Sequence, residues 1–311
     1  MEEILAKYKA QHDEFARISL ILLIIGLVGF VGGFIATFVT IIATVMNDQE
    51  PNGLVIALVV GLTVVPGVIL LVIQGTYRTK WKRIYQDEIF PAFLNSIYPG
   101  AKFLPNHGLD INDIMRPKFF AYPDKYETKN YMNYKIDTTE FALSDYTLQH
   151  EHRDKDGHVT YDTYAKGRFY VFTFPRVFKN NVKVMERTSK WGRQFNGMKV
   201  VELESIDFNK KFITYCEDEL AAFYILTPQV QEQMMALEKQ FSGQIYYMFD
   251  DNHLYIAVND SKDSFTFPLN RRFDEDTINE ALVEILIPKR FIEALKLNAD
   301  KYKEAVLDHT I

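Results

Sequence analysis

The stretch ISLILLIIGLVGFVGGFIATFVTIIATVM, Ile18–Met46, runs for 29 residues without a charge, and LVIALVVGLTVVPGVILLVIQGTY, Leu54–Tyr77, runs for 24 more. Crossing roughly 30 Å of hydrocarbon takes about 20 apolar residues in a helix, so either run is long enough. A helix of a soluble protein normally shows a polar face, and neither run has one. A cleaved signal peptide has a shorter apolar core, about 7–15 residues behind a basic leader. Here the leader mixes Glu2, Glu3, Asp13 and Glu14 with Lys7, Lys9 and Arg17, and a second apolar run follows. Both runs read as transmembrane helices.

Lysine and arginine near the spans set the orientation. Three basic residues precede the first span, and the connector Asn47–Gly53 has none but carries Asp48 and Glu50. Arg78, Lys80, Lys82 and Arg83 follow the second. Both termini are therefore expected in the cytoplasm, with Tyr77 and Trp81 as interfacial aromatics. Neither span holds an ionisable residue, so the pair reads as an anchor and not as an ion or proton path. Gly29 and Gly33 form a GxxxG, and Pro66-Gly67 interrupts the second span; close packing of the two spans or dimerisation would explain the glycines equally well. Ile4, Leu5, Tyr8, His12 and Phe15 fall on one helical face, which predicts a short amphipathic helix over residues 1–17. The expected division is 1–17, a membrane hairpin over 18–77 (18–46 and 54–77), and a cytoplasmic domain over 78–311.

The chain has 311 residues, 24% of them charged, with 18 Tyr and 24 Phe, which excludes a wholly disordered protein. One cysteine excludes an internal disulfide framework and any multi-cysteine metal site. After the second span a helix is expected to continue through Tyr85 and Ile89, bend at Pro91 and stop at Pro99-Gly100. Tyr-, Phe-, Thr- and Val-rich runs predict strands at Glu140–His152 and Val159–Phe174, joined by a two-residue Asp156-Gly157 turn. Further strands are expected at Asn181–Glu186, Met198–Leu203 and Phe212–Cys216. Thr227-Pro228 opens a helix, the hydroxyl as cap, with Val230, Met234, Leu237 and Phe241 on one face and Ser242-Gly243 at its end. Gln244–Phe249 and His253–Val258 read as a hairpin around Asp250-Asp251-Asn252. A last helical region starts near Thr277 and breaks at Pro288. The fold class is α+β: two N-terminal transmembrane helices followed by a mostly antiparallel β-sheet domain with packed helices.

One block is distinctive: Val201-Glu202-Leu203-Glu204-Ser205, then Phe208, Phe212, Tyr215, Asp218 and Ala221, then Tyr224-Ile225-Leu226-Thr227-Pro228. With Gly167–Phe174 and Leu254–Val258 it resembles a bacterial family known only as a domain of unknown function. That resemblance implies a membrane hairpin with a cytoplasmic α+β domain, and brings no catalytic residue. Physically the block reads as scaffold, with Phe208 and Phe212 one helical turn apart under the following strand.

The remaining chemistry is sparse. His150, His152 and His158 with Glu151 and Asp154 invite a metal, but strand alternation puts His158 on the face opposite His150 and His152, so the group reads as a solvated hairpin tip. Cys216 reads as a small buried hydrophobe whose neighbour Glu217 would raise its pKa. No GxSxG, HExxH, phosphate-loop or GxGxxG pattern occurs. No cofactor, metal or catalytic residue is expected; the alternative is an enzyme at the membrane face with a cleft of Glu204, Asp218, His107 or His253.

The informative charge feature is Arg176, Lys179, Lys183, Arg187, Lys190, Arg193 and Lys199 against the single acid Glu186, with Trp191 and Phe195 interleaved. Nucleic acid is disfavoured, because the domain is tethered to a membrane and acidic overall. Anionic lipid headgroups attract basic residues by about 1 kcal/mol each near the surface. The reading is a membrane-anchored interaction module whose partners are the bilayer, anionic headgroups or another protein through this stretch; an accessory subunit packing through the glycine-rich span is a further alternative.

Overall fold

A computed structural model describes residues 2–46, 52–187, 195–299 and 302–303. The chain divides into two compact units, Met1–Phe93 with Thr266–Ala281, and Leu94–Phe265 with Leu282–Ile311.

The first unit is a helical hairpin. Helix α1 spans Glu2–Met46 without interruption, so residues 2–17 run on directly into the first apolar run. Its partner rises through α2 (Gly53–Val59), a π turn at Val60–Val64, α3 (Val65–Ile84), a second π turn at Tyr85–Ile89, and α4 (Phe90–Ile97), whose last residues belong to the second unit. Each wide turn centres on the residue four before a proline: Leu62 for Pro66, Asp87 for Pro91. A proline ring collides with that carbonyl in an α-helix, and a π turn relieves the collision. The irregularity expected at Pro91 therefore lies just before it.

The two helices pack antiparallel through the small residues. A Cβ on Gly67 would lie 2.6 Å from Phe30 N and 3.0 Å from Gly26 O, while one on Gly33 would strike the Thr63 side chain. The Gly29/Gly33 face is thus filled by the chain's own second helix. Further along, Gln74 Nε2 donates to Ser19 Oγ at 3.0 Å, and Phe15 meets Tyr77 edge-on at 5.5 Å. Trp81 is fully buried rather than interfacial: its Nε1–H donates to Phe267 O at 3.1 Å, and the His12 and Phe273 rings pack on it. Away from the seam the apolar side chains face outward; Val28 is 68% exposed and Phe38 65%.

The second unit is built on one antiparallel sheet of β1 (Lys102–Leu104), β2 (Lys125–Ile136), β3 (Thr139–Arg153), β4 (Val159–Glu186), β5 (Lys199–Val201), β6 (Phe212–Cys216) and β7 (Gln244–Asn259). The order is β1-β2-β3-β4-β6-β5, with β7 also paired to β4. The β4 strand runs for 28 residues, so Asn181–Glu186 is its end and not a separate strand. Likewise Gln244–Val258 is no hairpin: β7 is a single strand lying along β4 from Arg168↔Val258 to Met185↔Tyr246. Asp251, with φ +58, sits opposite Phe178 between two register breaks whose extra residues lie on β4, on either side of Phe178, so the turn-forming residues continue β7 instead of reversing it. Pro175 falls in the same irregular stretch, where its missing N–H breaks no regular ladder.

Helices cover both sheet faces. On one, α5 (Ile111–Met115) and Phe119 pack on Tyr146, Phe169, Tyr246 and Tyr255. On the other, Phe291 of α10 (Ile287–Ala294) meets Tyr170 at 5.2 Å and Phe172 at 5.9 Å. Helix α8 (Pro228–Glu238) buries Val230, Met234 and Leu237; it ends before Ser242-Gly243, and the Thr227 hydroxyl makes no capping bond. In α6 (Ile206–Lys211), Ser205 does cap, accepting from Phe208 N at 3.3 Å. Phe212 already belongs to β6, and its ring meets Phe208 at 4.9 Å. Helix α9 (Glu275–Ile285) precedes the break at Pro288.

Candidate functional site

The basic stretch begins on the irregular part of β4 and separates as the strand becomes regular. Arg176 lies over the Phe178 and Tyr224 rings at 5.8 and 5.6 Å and donates to the Tyr224 hydroxyl at 3.3 Å. Lys179 is exposed. Both line a groove of about 420 Å³ against α7 (Glu219–Ile225), with Val177, Asp218, Leu220 and Tyr224. Asp218 is the cap of α7, accepting from Leu220 N at 3.3 Å. Val177 is 58% exposed and Leu220 76%, so the groove joins two cations to an open apolar rim. The apolar rim is absent from the sequence reading; Leu220 and Tyr224, four apart on a helix, carry its signal.

From Val182 to Glu186 every residue of β4 is buried, Lys183 included. That lysine is 1% exposed, its ammonium 3.5 Å from the centre of the Phe195 ring, and so adds nothing to a surface. Arg187 is exposed and its Nε donates to Asn209 O at 2.7 Å, while Lys199 pairs with Glu219 at 2.7 Å. Glu186 is buried and holds Lys211 at 2.9 Å. Lys190, Trp191 and Arg193 lie outside the described residues.

The other candidates stand apart. The β3–β4 register is Arg153↔Val159 and His152↔Thr160, one residue off the two-residue turn, because residues 154–158 form the loop, closed by Asp154 N to His158 O at 3.0 Å with Gly157 at φ +84. His150 stacks on Tyr164 at 4.0 Å, whereas His158 approaches Asp154 at 3.2 Å. Asp154, Asp156 and His158 bring ligand atoms within 4.8 Å of one another, all exposed. Cys216 is buried, and burial pushes its thiol pKa up although Lys199 opposes this. Glu204 and His107 are exposed, and neither they nor His253 line the Asp218 groove.

His253 sits on β7 with its Nδ1 buried and without a hydrogen-bond partner among the described residues. Burial, then nearby Arg116, lowers its pKa from 6.5, outweighing Asp251, Asp250 and Asp113. The unfolded chain therefore takes up this proton at a higher pH than the folded one. Its contribution to stability is complete above about pH 6.5 and is lost as pH falls through the lowered value. Unfolding midpoints measured from pH 7 to pH 5 should fall less steeply for His253→Gln than for the wild type; equal slopes would refute the assignment.

These two units define a class: an apolar helical hairpin carried with an antiparallel α+β unit. Residues 163–297 match the family described as "Protein of unknown function (DUF3137)", a span that includes the Val201–Pro228 block. No curated protein matches the chain. Among solved structures it is similar to the crystal structure of the mycobacterial trehalose monomycolate transport factor A, TtfA, at 10% identity over 69% of this chain and 96% of that one, with a TM-score of 0.39. A likeness of that size carries no argument about function.

Proposed function

We propose that the protein is a membrane-anchored interaction module. The carrying observation is the outward surface of the helix pair: only 17% of the most apolar window of one helix and 6% of the other is buried. Core helices of a soluble fold hide that surface, and at roughly 25 cal/mol per Å² its exposure to water is unfavourable over two whole helices. Residues 18–77 are the anchor, preceded by 1–17 and followed by the 78–311 domain. The lysine and arginine distribution supports a cytoplasmic position for both termini at the cell membrane.

The module's contact surface is the Arg176–Tyr224 groove, with Lys179 on its rim and Arg187, Lys190, Trp191, Arg193 and Lys199 as the further basic-aromatic residues. Arginine beside exposed aromatic and aliphatic side chains is the mixture that protein interfaces favour, which supports a polypeptide partner there over headgroups alone. The anchor is tested by extracting membranes with alkaline carbonate. The chain should stay in the pellet and leave it only with detergent; release by carbonate would contradict the proposal.

A further inference from the structure

Arg17 and Arg78 close the two uncharged runs, one before the first and one after the second. Antiparallel packing brings them to the same end of the hairpin, beside the Ser19–Gln74 bond and the Phe15–Tyr77 contact. The segment Leu269-Asn270-Arg271-Arg272, part of the same compact unit, adds two more arginines. The four arginines line one slot of about 400 Å³. Among the described residues Asp13 is the one carboxylate on its wall, and Leu20 and Leu23 of α1 extend it along the apolar run.

The slot has a second mark of a ligand. His12 lines it, is 2% exposed, and is fixed edge-on to Trp81 at 4.8 Å. Its Nδ1 lies 3.2 Å from Asp13 Oδ1, and its buried Nε2 has no hydrogen-bond partner among the described residues. A buried ring nitrogen without a partner is rare in a finished site; with Nδ1–H donating to Asp13, Nε2 is an acceptor that a ligand's hydroxyl would satisfy. Arg271 keeps one amino group on Glu280 at 2.8 Å, which orients the guanidinium while leaving its other donors.

We infer that this slot binds the phosphodiester headgroup of an anionic phospholipid. The phosphate sits among Arg17, Arg78, Arg271 and Arg272, a headgroup hydroxyl donates to His12, and an acyl chain runs along Leu20 and Leu23. Guanidinium forks match phosphate oxygens geometrically, and the volume lies in the range of small-molecule sites. Leu23 is six residues beyond Arg17, about 9 Å along α1, so headgroup and chain fall on the wall that suits each. The inference rests on the hairpin crossing a bilayer.

The test uses the full chain in nanodiscs of phosphatidylcholine with increasing phosphatidylglycerol, reading tightly bound lipid by native mass spectrometry. Saturable retention of phosphatidylglycerol over phosphatidylcholine is expected. The Arg17→Gln/Arg272→Gln double variant should bind it about tenfold or more weakly, whereas Lys80→Gln, three residues past the second apolar run and outside the slot, should change binding less than twofold. Equal loss in both variants means unspecific surface charge and overturns the site. Displacement of the lipid by millimolar inorganic phosphate or glycerol phosphate would make it a free-anion site and overturn the lipid assignment. The wild-type lipid comparison stands even if a variant misfolds; no preference there also refutes the site. A chain that fails to enter nanodiscs at all instead overturns the membrane anchor.

Discussion

Gly67→Val should drive the two long helices apart. A Cβ at this position would lie 2.6 Å from Phe30 N and 3.0 Å from both Gly26 O and Gly29 C, all backbone atoms that no rotamer change can move. Relief requires one helix to shift bodily, which also opens the Gly33–Thr63 contact and strains the Ser19–Gln74 hydrogen bond. Overpacking of this kind costs about 1–3 kcal/mol, and a backbone-to-backbone seam belongs at the upper end. Gly75→Val is the control, since nothing lies within 4 Å of a Cβ there. Unfolding measured in mixed micelles with increasing denaturing detergent should show a clear loss for Gly67→Val and almost none for Gly75→Val. Equal behaviour would mean that the glycines do not set the hairpin.

Arg168→Met should be the most damaging single change in the strand–helix unit. The Arg168 side chain is 8% exposed; it donates at 2.5 Å to Asp260, whose side chain is 1% exposed, and at 3.2 Å to Glu284. Burial works against the guanidinium's charge, but Tyr170, Asp260 and Glu284 outweigh it and hold the pKa above its ordinary value. Burial likewise raises the Glu284 pKa, with Arg168 opposing. Methionine fills the volume and strands two carboxylates, a loss of about 3–5 kcal/mol. Arg168→Met/Asp260→Leu should recover much of this, because the cost lies in the orphaned charge and not in the lost attraction. Thermal unfolding of the three proteins checks both statements; a double variant no better than the single one would contradict the explanation.

The helical hairpin is legible in the chain because the absence of charge is a one-dimensional property, and so is the proline that sets each wide turn. The β3–β4 hairpin and the Phe212–Cys216 strand are legible for a similar reason, since alternation and turn residues are local. Turn composition, however, does not tell a reversal from a strand that continues. Asp250-Asp251-Asn252 has hairpin chemistry, yet pairing along the whole of β4 keeps β7 straight. Lys125–Ile136 gives no strand signal because its tyrosines, Tyr126, Tyr131 and Tyr134, are irregularly spaced among lysine, glutamate and asparagine, and only pairing with β3 defines it. Charge clustering along the chain misleads in the same way: Lys183 belongs to the basic stretch in sequence and to the buried interior in space. The arginine slot is invisible to any local reading, since Arg17, Arg78 and Arg271-Arg272 meet only after the hairpin has closed.

The hairpin's crossing of the membrane is tested most directly by site-specific thiol labelling. The chain's one cysteine, Cys216, is buried and gives a silent background. Gly53→Cys stands where a Cβ meets nothing within 4 Å, and Ala10→Cys is exposed on the first turns of α1. In intact cells a membrane-impermeant maleimide should label Gly53→Cys and reach Ala10→Cys only after permeabilisation. Labelling of Ala10→Cys from outside with Gly53→Cys protected, or protection of both until the membrane is opened, would contradict the account.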